Sequence, residues 1–354
     1  MINLILTLDY ELFGDGSGNV FKHIIKPTDR LLNICNKYNI KITIFFEVLE
    51  YLKIKEACDS GIDMGYGKNP AKAIDKQIRS AYKHGHDIQL HLHPQWLNAN
   101  YNNRWIVDNT LWRLPEVTKA NSGYSISELF KLGKNTIEKL LRPIDKNYKC
   151  NIFRSGGYNI QPSQKIIKAM KENGFIADSS VYPGGYIDSN LSKYDYTSVS
   201  KDIPYWKTST NNVIKKSDSN GGIIELPVFA LPMYRFKKFD LQRIKVKLQN
   251  RAYSKEQYSQ KIGNKSLFQK FAFYFQKEST TWDYSLFNFR KMKNFYNEAN
   301  KIVKKSDYKN HPIILIGHTK ELFFFKNLIN FLEYSHSNHS NFYSLSKYIA
   351  HFIE

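Results

Sequence analysis

Short apolar runs recur along this chain, and most of them stop on a residue that can carry charge or ligate a metal. Residues 2–8 run into Asp9, 87–90 into His91, 150–153 into Arg154, 175–177 into Asp178 and 312–317 into His318, with further runs at 41–46 and 222–226. Between them lie segments whose apolar residues fall at helical spacing. Pro27 opens one that reaches Cys35, Pro70 opens one ending near residue 83, and others fall at 125–141, 162–173, 320–333 and 344–353. Proline suits a first helical turn because its missing N–H would have no partner there, and the three-and-four spacing keeps one face apolar. Strands that alternate with helices pair in parallel, in an open sheet or a closed barrel. Sites in such sheets are built at the carboxyl ends of the strands, where loops vary without disturbing the packed layer. The polar terminators therefore collect on one rim.

A chain of 354 residues can bury one large α/β core without disulfides or a structural metal. Residues 185–221 and 233–310 read as insertions, the second largely helical, so residues 1–354 are expected to form a single domain with insertions at about 185–221 and 233–310. No apolar run approaches the roughly 20 residues needed to span a bilayer. The apolar start lacks a basic n-region and a small-residue cleavage site, which predicts a protein that stays in the cytoplasm. Cys35, Cys58 and Cys150 are odd in number, widely spaced and without a Cys-x-x-Cys pair, as expected of free thiols. The net charge is +20, and residues 235–309 carry 19 Lys/Arg against 6 Asp/Glu. Such a stretch attracts nucleic acid, anionic lipid or acidic glycan. Lys and Asn abound throughout and the stretch is also rich in Phe and Tyr, so a solvated helical insertion is the favoured reading. No nucleic-acid partner is expected, and contact of 235–309 with a membrane surface stays open.

Asp9 and Glu11 stand two apart, so on extended backbone both carboxylates point to one side. One such group can bind a metal while the other takes a proton from water. His91 and His93 repeat the spacing, and Pro94 stops the strand beyond them. Two imidazoles with a carboxylate and an open position suit zinc and other divalent ions. Gln95 is a further polar group there and Trp96 a wall for substrate. Arg154 is followed by Gly156, Gly157 and Tyr158, where glycines let a backbone N–H approach a substrate oxygen and the cation can hold a carboxylate ionised. Asp178 can pair with a histidine and raise its pKa. His84 and His86 read as helix-end residues.

With these motifs in this order, the chain resembles the polysaccharide deacetylase family, carbohydrate esterase family 4. Thr7-Leu8-Asp9-Tyr10-Glu11 stands where that family has Thr-Phe-Asp-Asp-Gly, and Gly85 to His91 is similar to its Gly-His-Glu-Ile-Gly-x-His approach. Arg154 to Tyr158 resembles its Arg-x-Pro-Tyr motif, Asp178-Ser179-Ser180 its fourth motif, and Ile316-Gly317-His318 its final His region. The resemblance implies a distorted (β/α) barrel with helical insertions, a divalent metal, and hydrolysis of an N-acetyl or similar acyl group on a sugar. It makes Asp9 the general base oriented by Arg154, His91 a metal ligand, and His318 the general acid tuned by Asp178. Two departures stand out. Tyr10 replaces the family's metal-binding Asp, which moves that role to Glu11, and His-x-His replaces His-x-x-x-His, which leaves His93 or Gln95 as second ligand, or none.

The reading is a zinc enzyme, with cobalt or nickel able to substitute, that holds its ion on Glu11, His91 and His93. Its substrate is expected to be a carbohydrate assembled in the cytoplasm, such as a surface-glycan precursor, contacted by Tyr158, Gln95 and Trp96. Competing readings are hydrolysis of a formyl group or cyclic amide on the same scaffold, a catalytically silent glycan-binding module, and a basic protein acting on nucleic acid or membrane through 235–309.

Overall fold

The computed structural model describes residues 1–217, 221–238, 240–253 and 273–353. Its main sheet runs in the order Trp206–Lys207, Ile224–Glu225, Ala177–Asp178, Ile152–Ser155, Asp87–Leu92, Thr43–Glu47, Asn3–Tyr10, Pro312–His318, with Asn341–Phe342 also paired to Asn3–Tyr10. Every pairing is parallel except that of Trp206–Lys207 with Ile224–Glu225. Strands covered on both faces read as unbroken apolar runs, which is why Asn3–Tyr10 is buried at all eight positions. Past Glu225 the chain leaves its strand, and Val228 bridges Ile314 in parallel on the far edge of the sheet. The sheet thus curls back on itself into the distorted (β/α) barrel anticipated from the sequence.

The helices pack around it. Lys26–Lys37 buries Leu31, Leu32 and Cys35, and Pro70–Lys83, capped by Asn69, buries Ile74, Ile78 and Ala81. Ile126–Leu141 opens on a capping box of Ser125 and Glu128, in which each side chain satisfies the other's backbone N–H. Lys26–Lys37, Pro70–Lys83, Ile126–Leu141, Gln164–Glu172 and Leu345–Phe352 lie within a few residues of expectation, whereas Lys326–Ser337 starts later because Thr319–Glu321 forms a separate 3-10 turn. Val48–Asp59 was not anticipated; it follows its strand without a loop, and Glu47 caps it by accepting from the Leu49 and Glu50 N–H groups.

The segment 233–310 corrects the picture of a solvated helical insertion. Ala230–Tyr234 pairs antiparallel with Lys277–Thr281, Asp283 bridges Ile316, and Phe289–Lys305 buries Met292, Phe295, Tyr296, Ala299 and Ile302. The chain around Asp283 therefore joins the edge of the barrel and Phe289–Lys305 packs on it, with Arg290, Lys293, Lys301, Lys304 and Lys305 on the exposed face of an amphipathic helix whose inner face is core. The expected helical content of 254–272 lies outside the described residues. Cys35 and Cys150 are buried and Cys58 half-buried, all free; burial pushes the Cys35 thiol up to about 12, so it stays an inert thiol. Among the described residues no helix is long and apolar enough to cross a membrane.

Candidate active site

Parallel register assembles the site. Asp9 lies level with His318 on one neighbouring strand and Phe45 on the other, and His91 lies level with Glu47 and Arg154. Glu11 and His93 project from just beyond their strands, on the same side as Asp9 and His91. Glu11 Oε2 is 3.3 Å from His91 Nε2 and 2.9 Å from His93 Nδ1. The three residues expected to hold a metal are thus brought together, all buried, with one potential ligand atom from each within 4.8 Å of the others. The same neighbourhood offers two further triads, Asp9–Glu11–His318 and Asp283–His318–Glu321, each less buried.

The hydrogen bonding fits a cation at Glu11, His91 and His93. His91 Nδ1 lies 2.8 Å from the Arg154 carbonyl, which only accepts, so this nitrogen carries a proton and in the neutral ring Nε2 presents a lone pair. That Nε2 and the facing Glu11 Oε2 are both buried without a hydrogen-bond partner. A buried nitrogen lone pair facing a carboxylate oxygen is costly, and a divalent ion satisfies both even though His93 Nδ1 also lies 2.9 Å from that oxygen. A protein group fixing the outer nitrogen of a metal histidine is the usual second partner of such a ligand. Burial alone would raise the Glu11 pKa, but Lys320, at 2.6 Å from Oε1, together with His93 and His91 holds it well below the usual carboxylate range. His93 Nδ1 also lies 3.1 Å from Glu47 Oε2; against its burial, Glu11 and Glu47 raise its pKa to about 10 in the metal-free protein, so the ring would have to release this proton to serve as a ligand. Gly156 permits this packing, since a Cβ there would overlap the His93 ring.

Beside this cluster Asp9 divides its two oxygens. Oδ1 accepts from Arg154 Nη1 at 2.7 Å, while Oδ2 faces the gap, 4.0 Å from His91 Nε2 and 3.8 Å from His318 Nε2. Arg154 is fully buried, stacks on Phe45 at 4.1 Å, and donates also to Thr7 Oγ1, the Ser179 carbonyl and Ser179 Oγ, so its fork is fixed from all sides.

The expected pairing of Asp178 with His318 is not made. Asp178 accepts from the Ser180 N–H and hydroxyl and lies level with Glu225, and burial raises its pKa. The carboxylate on His318 Nδ1 is Asp283, at 3.1 Å, with Glu321 at 3.5 Å. Although burial opposes it, Asp283, Glu321 and Asp9 raise His318 to about 9, so its imidazole is cationic at neutral pH. Asp283 bridges Ile316 on the strand that ends in His318, whereas the strand of Asp178 is separated from it by the chain around Glu225 and Val228; strand order, which spacing does not reveal, decides the partner.

The residues expected to contact substrate divide. Tyr158 is half-buried at the rim in a left-handed conformation, φ 62°, with its ring 5.0 Å from that of Tyr182. Such backbone is uncommon for an aromatic residue and clusters at functional sites. Gln95 is buried and places its amide on the Gly14 carbonyl. Trp96 is corrected outright: at 1% exposure, packed on Trp105, it is core and offers no face to a sugar. Three site residues went unread. Glu47 ends its strand as Asp9 does and carries the same signal; Lys320 follows His318 by two; Asp283 was hidden inside the segment taken as an insertion.

No family model matches the sequence, and no curated protein matches it either. Solved structures do resemble it. A 4-alpha-glucanotransferase from Thermococcus litoralis superposes with a TM-score of 0.51 at 14% identity, over 99% of this chain and 40% of that one. A Mycobacterium smegmatis protein described as a polysaccharide deacetylase gives 0.49 at 13% identity, over 99% and 90%. PuuE allantoinase gives 0.49 at 13% identity, over 99% and 89%. At these identities the likeness is one of fold. Activity therefore has to be argued from the site.

Proposed function

We propose that this protein is a metal-dependent hydrolase that removes an N-acetyl or similar acyl group from a carbohydrate, such as a precursor of a surface glycan. The observation that supports this most is the buried His91 Nε2, without a hydrogen-bond partner and facing Glu11 Oε2 at 3.3 Å, set beside a carboxylate on one side and a cationic imidazole beyond it. Glu11, His91 and His93 would hold a divalent ion, zinc with cobalt or nickel able to replace it; when bound it supplies Lewis acidity and lowers the pKa of water toward ~7.

The remaining chemistry belongs to the chain's own groups. Asp9, its Oδ1 held by Arg154, takes a proton from the attacking water at Oδ2. His318, kept protonated by Asp283, gives a proton to the departing nitrogen. These two roles need a proton acceptor and a proton donor on opposite sides of the reacting group. Asp9 Oδ2, facing the gap, and His318, held in its charged form by carboxylates, meet that need. Tyr158 lines the approach to the reacting carbonyl.

Asp9→Asn keeps the shape and removes the base. Acetate release from an acetylated oligosaccharide panel should fall by about 10² to 10⁴, with thermal unfolding little changed. Near-wild-type turnover would remove Asp9 from the mechanism. Running formylated sugars and cyclic amides in the same panel separates the acyl-sugar reading from other C–N hydrolases.

A further inference from the structure

Next to this site lies a cleft of about 1130 Å³ whose chemistry the hydrolytic residues do not use. One wall is the helix Leu241–Gln249 and the turn after it, which present Arg243, Lys247 and Arg251 to the cleft at a spacing of four. Lys277 faces them from the strand Lys277–Thr281. Arg235 and Lys238, also in the lining, share the single carboxylate of Glu278, which leaves one positive charge of the two uncompensated, and Asp188 is engaged by Lys193. Arg243, Lys247, Arg251 and Lys277 form no ion pair among the described residues. Like charges four apart on a helix repel, so this row is held together against its own electrostatics. An anionic ligand would relieve that repulsion.

The same cleft carries apolar and aromatic surface. Ile244 and Leu248 line it at 44% and 62% exposure, and Tyr186 stands across from them at 59%. Aromatic rings of this kind give a sugar an apolar face to lie on, and arginine forks match phosphate and carboxylate oxygens. The cleft is joined to the site by covalent and packed contacts. Tyr182 lines it and packs on Tyr158, while Ser279 lines it on the strand that leads to Asp283. The helix is pinned over the His318 loop at both ends, Gln242 donating to the Ser285 carbonyl at 3.2 Å and Asn250 to that of Lys320 at 3.0 Å.

We propose that this cleft binds a negatively charged group, phosphate or carboxylate, on the carbohydrate whose acyl group is removed next door. The substrate is then an acidic or phosphorylated glycan rather than a neutral one. This rests on the reading of the adjoining site as a carbohydrate hydrolase, but its test does not depend on turnover. Binding is measured by calorimetry in the Asp9→Asn protein. The probes are N-acetylglucosamine against its 1-phosphate, and a chitin oligosaccharide against a hyaluronan oligosaccharide of equal length. At least one anionic probe should bind about tenfold or more tighter than its neutral counterpart, with the advantage fading as salt is raised. The phosphate and carboxylate arms identify the group.

In Arg243→Gln/Lys247→Gln/Arg251→Gln the anionic probe should fall to the affinity of the neutral one. The single exposed change Lys247→Glu should give the same direction if the triple variant unfolds. Equal binding of neutral and anionic probes, no binding of either anionic probe, or a preference that survives in a folded variant each overturns the proposal. Failure of the wild type to release acetate from any probe, with the charge preference intact, would instead sink the hydrolase reading and leave the anion site standing.

Discussion

A single methyl at Gly156 would overlap the His93 ring, so the placement of one ligand depends on a side chain that is absent. Gly156→Ala should push the imidazole off Glu11 and weaken metal binding by about 10- to 100-fold, measured by competition with a chromogenic chelator. Unchanged affinity would mean that His93 is not a ligand. At this scale much of the site could be read in advance. Asp9 with Glu11 and His91 with His93 share a face because side chains alternate on extended backbone, and that rule needs no knowledge of the fold. Trp96 could not be read in the same way. Its place in the core, against Trp105, is set by a turn of chain that no local pattern marks.

Between elements the decisive quantity is register, and here the sequence is less informative. His318 ends a strand whose neighbours are Asn3–Tyr10 on one side and the chain around Val228 and Asp283 on the other. That arrangement puts Asp283, and not Asp178, on the histidine. Asp178 stands out as the end of an apolar run, whereas the cation-rich surroundings of Asp283 disguise its segment as solvated. Asp283→Asn should bring the His318 pKa down from about 9 toward its ordinary value of 6.5, because the carboxylate is what favours the charged ring. An NMR titration of the His318 ring protons checks this, and a pKa that stays near 9 would assign the shift to Glu321 and Asp9 instead. Strands such as Asn3–Tyr10 and Pro312–His318 were legible because burial on both faces leaves an unbroken apolar run. The helix Phe289–Lys305 was not recognised as core, although Met292, Phe295, Tyr296, Ala299 and Ile302 keep helical spacing, because lysines fill the positions between them.

The whole molecule buries three histidines away from the site in their neutral form. His23, His86 and His311 have pKa values lowered from 6.5 to about 4, in each case chiefly by burial. Between those limits the unfolded chain binds protons that the folded one refuses. Their contribution is complete above about pH 6.5 and is lost as the pH falls through 6.5 toward 4, by up to about 3 kcal/mol for each group. Thermal unfolding followed across that window should show a steep fall on acidification. A flat melting temperature from 6.5 to 4 would show that these rings titrate normally. The class of fold was legible at this scale from alternating strands and helices, whereas the closure of the sheet followed only from the family resemblance, because alternation alone also allows an open sheet and the closure rests on isolated bridges at Val228 and Asp283.

The most direct test is the metal content of the purified protein. After loading with zinc and desalting, the wild type should retain one ion per chain, while Glu11→Gln and His91→Ala, each still folded, should retain almost none. A wild type that holds no ion, or variants that hold as much as it does, would contradict a metal centre on Glu11, His91 and His93.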